Sequence, residues 1–104
     1  MFAPLQRSEE LIVARAAMES GLPARAASGF ARAGNAALGS GEDRFAYGNV
    51  LSRLNRNAEA AREFGRVRQP RSLAALAAYQ SARALVRDGQ LKPGRAALIE
   101  VARK

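Results

Sequence analysis

Apolar residues recur three and four positions apart along most of the chain, in segments separated by Gly, Pro, Asn or Ser. This spacing is typical of amphipathic helices. No segment alternates apolar and polar residues for long with β-branched enrichment, as a half-buried strand would. The pattern predicts six helices of three to four turns each, and no strands. Their predicted bounds are residues 7–20, 23–36, 42–54, 58–68, 72–87 and 92–103.

Residues at the predicted helix ends support these bounds. Ser40 and Asp43 are expected to form a capping box for the third helix, and Asn57 is expected to cap the fourth. Prolines in first turns and glycines just past helix ends complete the signals. These residues are Pro23, Pro93, Gly21 and Gly89.

The pattern also repeats every 34 residues. In the predicted turns, Gly21, Asn55 and Gly89 share one register. Five further columns keep the same offset and alternate small with larger side chains: Ala14, Gly48, Ala82; Ala17, Leu51, Leu85; Ala26, Ala60, Gly94; Phe30, Phe64, Leu98; and Ala33, Val67, Val101. Because antiparallel helices approach closely only where one side carries a small residue, this repeat predicts stacked helix pairs.

The second repeat carries Gly48, Leu51, Ala60, Phe64 and Val67 at spacings that resemble the tetratricopeptide repeat (TPR) motif. The resemblance covers nearly the whole chain as three repeats, at residues 7–40, 41–74 and 75–104. The usual early Trp and late Pro of the motif are replaced by Glu10, Arg44, Ala78, Leu38 and Ser72. The resemblance implies a single all-α domain over 1–104, a right-handed α-solenoid of three antiparallel helix pairs that acts as a protein-interaction module.

The resemblance further implies that the first helix of each pair lines a concave groove for a peptide or protein segment. The expected groove residues are Leu11, Arg15, Met18, Phe45, Asn49, Arg53, Tyr79, Arg83 and Arg87. In this interpretation Phe45 and Tyr79 anchor the ligand, Asn49 holds its backbone, and the arginines bind carboxylates of an acidic partner. The alternative at each position is structural, with aromatic side chains packed between helices and arginines solvated.

The charge of the chain leaves a second class of partner open. Fifteen arginines and two lysines against nine acidic residues give a net charge of +8. The arginines are spread over both helices of every repeat, whereas nucleic-acid binders concentrate cations on one face, often beside stacking aromatics. We therefore predict a solvated basic surface, with nucleic-acid binding as the less favoured alternative.

Catalytic chemistry has little support in the sequence. The chain contains no His and no Cys, which excludes Cys nucleophiles, His-dependent triads and the common zinc ligand sets. Paired acidic residues stand near predicted helix starts, where they complement the helix dipole. We expect no enzymatic activity, no cofactor and no metal site.

The ends of the chain bear on its context. The sequence contains no run of about 18 apolar residues, so it predicts no membrane span. Its first residues do not have the order of a signal peptide. The compartment stays open: cytoplasmic if the chain is not exported, or periplasmic if it is a segment of a longer exported bacterial protein.

The final helix carries Leu91, Leu98, Ile99 and Val101 with no following helix to cover it, which predicts self-association or an oligomerisation scaffold as further options.

Overall fold

The computed structural model describes residues 7–37 and 40–103, and all regular secondary structure in them is α-helical. Six helices follow one another: α1 (Arg7–Glu19), α2 (Pro23–Ala37), α3 (Gly41–Arg53), α4 (Asn57–Gly65), α5 (Arg71–Arg87) and α6 (Leu91–Ala102). The all-α class and the number of helices predicted from the sequence are confirmed for this part of the chain. The largest difference in bounds is at α4, which ends at Gly65 rather than at residue 68, because glycine and the approaching Pro70 disfavour helix continuation.

Contacts between helices follow the order of the chain. Within the described residues each helix packs substantially against the helix before it and the helix after it, and α3 also contacts α5. The molecule is elongated, with principal extents of 53 × 26 × 20 Å. None of the described helices combines the length and apolar character needed to cross a membrane.

The three turns that join α1 to α2, α3 to α4 and α5 to α6 have the same geometry. Gly21, Asn55 and Gly89 adopt left-handed φ angles of 72°, 60° and 86°. The next backbone N–H in each turn donates to a carbonyl five residues earlier, at 2.8 to 2.9 Å: Leu22 to Ala17, Arg56 to Leu51 and Gln90 to Leu85. This is the hydrogen bond of the Schellman helix end. The 34-residue period in the sequence is therefore also a period in backbone conformation.

Of the two predicted side-chain caps, one is confirmed and the other is wrong. Ser40 caps α3, since its Oγ accepts the Asp43 N–H at 3.1 Å. Asn57 does not cap α4. It is the first helical residue there, Arg56 occupies the cap position, and no side chain caps the helix. Pro23 begins α2 and Pro93 lies in the first turn of α6, as the sequence predicts.

Most members of the repeat columns are buried, and they form a large part of the core. Phe30, Phe64, Leu51 and Val50 are the largest fully buried side chains. Gly48 lies so close to Phe64 that an added Cβ would stand 2.7 Å from the ring. The third-repeat members of the larger columns are only partly buried. They are Leu85, Leu98 and Val101. Packing is thus tightest in the first two helix pairs.

Two ion pairs connect neighbouring helices. Glu10 of α1 accepts a hydrogen bond from Nε of Arg32 in α2, at 3.2 Å. Arg44 of α3 donates to Glu63 of α4 at 2.9 Å, and both side chains are 12% exposed. Charged pairs therefore link α1 to α2 and α3 to α4 beside the apolar core.

Phe64→Ala is expected to lower the free energy of unfolding by about 3 to 5 kcal/mol, because it empties the centre of the second helix pair. The control is Arg62→Ala on the same helix, an exposed position where a change within about 0.5 kcal/mol is expected. Urea denaturation followed by circular dichroism measures both. Equal losses for the two variants would contradict the placement of Phe64 in the core.

Candidate functional site

A cleft of about 590 Å³ lies where α1, α3 and α5 meet. Its lining comes from the second half of α1, from α3 and from α5: Met18, Glu19, Asn49, Val50, Ser52, Arg53, Gln80 and Arg87. These three helices are the first members of their helix pairs. The cleft therefore draws its lining from all three repeats that the sequence defines.

Helix periodicity explains how α3 supplies half of this lining. Asn49, Ser52 and Arg53 stand three and four residues apart, so they share one face of the helix. Val50 and Leu51 are fully buried between them in sequence. The alternation of exposed and buried positions along α3 thus presents an amide, a hydroxyl and a guanidinium group beside the buried Val50.

Within the part of the chain that the structure describes, the polar side chains of the cleft have no partners of their own. Among the described residues, none of the lining side chains forms a hydrogen bond or an ion pair with another residue. The polar lining consists of Glu19, Asn49, Ser52, Arg53, Gln80 and Arg87. Two guanidinium groups, two amides, one hydroxyl and one carboxylate are therefore free to bind a ligand, and Met18 adds an adaptable apolar contact.

Four of the nine sequence-predicted site residues line this cleft. They are Met18, Asn49, Arg53 and Arg87. The sequence signal that found them is the 34-residue register, which places Arg53 and Arg87 in one column. The other four lining residues are not among the nine predicted ones: Glu19, Val50, Ser52 and Gln80. Gln80 stands one residue after Tyr79, on a neighbouring face of α5 that the register did not select.

The predicted residues Leu11 and Phe45 contribute to the core instead. Leu11 is 7% exposed and belongs to the buried cluster, so its side chain is not open to a ligand. Phe45 is partly buried, and its ring meets that of Phe64 edge on, with the centroids 5.3 Å apart. At these two positions the observed contacts agree with the alternative interpretation, in which the side chain packs between helices.

The predicted residues Tyr79 and Arg83 lie together on α5, outside the cleft lining. The Arg83 guanidinium stands over the Tyr79 ring, 5.7 Å from its centroid. Tyr79 is 41% exposed. A cation over a partly exposed ring is a weak contact of about 0.5 to 1 kcal/mol. The Tyr79 ring offers an aromatic surface beside the cleft, while the Arg83 guanidinium already contacts that ring.

Arg15 is committed to an ion pair that links α1 to α3. Its Nε donates to Asp43 Oδ1 at 2.7 Å, and its Nη2 donates to Asp43 Oδ2. The hydrogen bonds from Arg15 hold the pKa of the Asp43 carboxyl below its usual range, and the Ser40 hydroxyl contributes in the same direction. The sequence identified Asp43 as part of a helix cap and did not reveal this partner, because the two residues lie in different repeats.

The described residues were also compared with metal-ligating geometry and with known proteins. No group of three or more acidic side chains among them could hold a metal ion. Comparison of the sequence and structure with protein-family models, curated proteins and solved structures finds no match.

The Arg15 and Asp43 pair predicts a specific pH dependence. Because the folded-state pKa of Asp43 is lowered, its stabilisation is present above the unfolded-state pKa of about 4 and is lost as the pH falls through the folded-state pKa. Asp43→Asn lacks this contribution. Between pH 6 and pH 2, the native chain is expected to lose about 1 kcal/mol more stability than the variant. The difference is no larger because Arg15 is half exposed and solvent weakens the ion pair.

The control is Glu42→Gln, which neutralises the adjacent carboxylate on α3. Glu42 is exposed and pairs with no described residue, so this variant is expected to keep the acid-dependent loss of the native chain. Urea unfolding at a series of pH values measures all three proteins. An identical pH profile for Asp43→Asn and the native chain would contradict the contribution of the ion pair.

Proposed function

We propose that the chain is a non-enzymatic protein-interaction module whose cleft binds a segment of a partner protein that carries acidic side chains. The observation that supports this proposal is the set of polar groups from α1, α3 and α5 around one cleft, which have no partner among residues 7–37 and 40–103. Guanidinium groups bind carboxylates with two parallel hydrogen bonds, and amides both donate to and accept from a peptide backbone.

The proposal includes the finer architecture implied by the TPR resemblance. We infer that the three helix pairs form a right-handed α-solenoid in which α1, α3 and α5 line the concave side. Identical turns at Gly21, Asn55 and Gly89 and the sequential contacts between helices are in keeping with such an array. In that arrangement the cleft is the centre of a groove, and an extended or helical segment is the ligand shape that suits it.

The choice of an acidic ligand follows from the local balance of charge. Arg53 and Arg87 contribute two positive charges to the cleft, and Glu19 contributes one negative charge. A ligand carboxylate near Arg53 or Arg87 would gain a charge-assisted hydrogen bond, whereas a ligand cation would be attracted only near Glu19. The mixed lining also favours a peptide with several polar groups over a uniform polyanion.

Arg53→Glu combined with Arg87→Glu is expected to abolish binding of the partner, because it turns both free cations of the cleft into acids. The measurement is capture of proteins from a lysate of the source organism, after nuclease treatment, with mass spectrometry of what is retained. A partner retained by the native chain is then tested as a purified protein by calorimetry. We expect at least a hundredfold loss of affinity in the double variant, about 2.7 kcal/mol.

The matched control is Arg25→Glu combined with Arg95→Glu. It makes the same change in net charge at exposed positions on α2 and α6, which do not line the cleft. We expect its affinity to stay within about threefold of the native value, since exposed charges far from a site act weakly. Equal losses in both double variants would refute a cleft-specific site, and capture that nuclease abolishes would favour nucleic-acid binding instead.

Self-association through α6 is the second candidate, and a specific observation favours it. Leu91 and Ile99 are 58% and 54% exposed on this last helix. We expect the molar mass measured by light scattering to rise with concentration for the native chain and to stay constant for Ile99→Glu. The control is Ile12→Glu on α1, also at an exposed apolar position. A constant mass for the native chain would exclude this candidate.

A further inference from the structure

A small pocket separate from the cleft lies between the start of α3 and the segment that connects α4 to α5. Its volume is about 210 Å³. It is lined by Gly41, Arg44, Arg66, Arg68 and Gln69, and it shares no residue with the cleft. Three of these five lining residues are arginines and none is acidic. Three arginines therefore border one small pocket.

One carboxylate holds two of these arginines in place. Glu63 accepts from Arg44 Nη1 at 2.9 Å through one oxygen, and from Arg66 Nη1 at 3.2 Å through the other. Glu63 is thus a shared partner of Arg44 and Arg66. The Arg44 and Glu63 side chains are mostly shielded from solvent, so charges here interact more strongly than on an open surface.

Arg68 supplies the third guanidinium and is uncommitted. It is exposed, and it forms no hydrogen bond or ion pair within residues 7–37 and 40–103. The acids that follow Gly41 in the first turn of α3 do not offset it, because neither Glu42 nor Asp43 lines the pocket. The Asp43 carboxylate is also bound by Arg15. The pocket therefore keeps an excess of positive charge.

The backbone fixes the position of the wall that carries Arg68. Gly41 touches the segment after α4 so closely that an added Cβ would collide with the Gln69 carbonyl. The start of α3 and the residues around Gln69 are thus held against each other by packing. A site of this kind is already ordered before the ligand binds. Binding therefore does not have to compensate for entropy lost in ordering the site.

We propose that this pocket binds a phosphoryl group, either as free phosphate or on a phosphorylated side chain of a partner protein. A phosphate monoester carries a charge of about −1.5 to −2 near pH 7 and three strong acceptor oxygens, which matches three guanidinium groups better than a carboxylate with two oxygens. The pocket is smaller than the roughly 300 to 1,000 Å³ of sites for drug-sized ligands, so it suits one charged group.

The test is calorimetric titration of the native chain with sodium phosphate, with a blocked glycine–phosphoserine–glycine peptide, and with the same peptide unphosphorylated, at constant ionic strength. We expect heat of binding from at least one phosphorylated probe and none from the unphosphorylated peptide. Binding of free phosphate alone would identify a phosphate site, and stronger binding of the phosphopeptide would identify a phosphorylated partner. Either result supports the proposal.

Arg68→Gln is the variant that localises the binding. Because Arg68 is exposed and pairs with no described residue, this change leaves the Glu63 ion pairs intact and is expected to weaken phosphate binding at least tenfold. Arg87→Gln removes the same charge from the cleft and is expected to change the affinity by less than twofold. Circular dichroism checks that both variants are folded.

Two results would overturn the proposal. One is the absence of binding at phosphate concentrations of about 10 mM, which would reveal even a millimolar Kd. The other is an equal loss of affinity in Arg68→Gln and Arg87→Gln, which would mean that phosphate responds to the overall charge. Because the pocket and the cleft share no residue, either failure leaves the cleft proposal standing.

Discussion

The close approach of the two helices in each pair is the constraint on which the rest of the structure depends. In every pair one helix carries a glycine that faces a side chain of the other helix: Gly29 faces Ala14, Gly48 faces Phe64 and Gly94 faces Val86. An added Cβ would stand 2.7 to 2.8 Å from these neighbours, nearer than any ordinary carbon contact. The absence of a side chain at the crossing therefore sets the spacing of the helices, and this close approach buries Phe30, Phe64, Leu51 and Val50 in full.

The polar cleft follows from the same constraint. Gly48 and Leu51 turn one face of α3 toward α4, so Asn49 and Arg53 must stand on the opposite face. The small residues that let the helices meet thus also decide which side chains remain free of the core. The candidate site is in this sense a product of packing, and a change at the helix crossing would disturb the cleft without touching its lining.

The sequence predicted best what is decided over a few residues. The turns at Gly21, Asn55 and Gly89 and the cap at Ser40 depend on local backbone chemistry, and the structure has them as predicted. The individual site residues were harder, because their surroundings depend on other helices. Leu11, Phe45 and Tyr79 stand 34 residues apart in the sequence, but their surroundings in the structure differ. Phe45 meets the ring of Phe64, whereas the smaller Leu98 stands at the equivalent place in the third repeat, and Tyr79 remains partly exposed.

The arginines show why composition alone does not define a binding surface. The spread of positive charge along the chain predicted a diffuse basic exterior, but in the described ranges five arginines pair with acids: Arg15, Arg32, Arg44, Arg56 and Arg66. Arg53 and Arg87 in the cleft and Arg68 in the small pocket have no such partner among the described residues. At physiological ionic strength, screening limits attraction between exposed charges to about 8 Å. These three arginines therefore act mainly on groups that enter the two sites, so recognition depends on where the uncompensated charge lies and less on the total of +8.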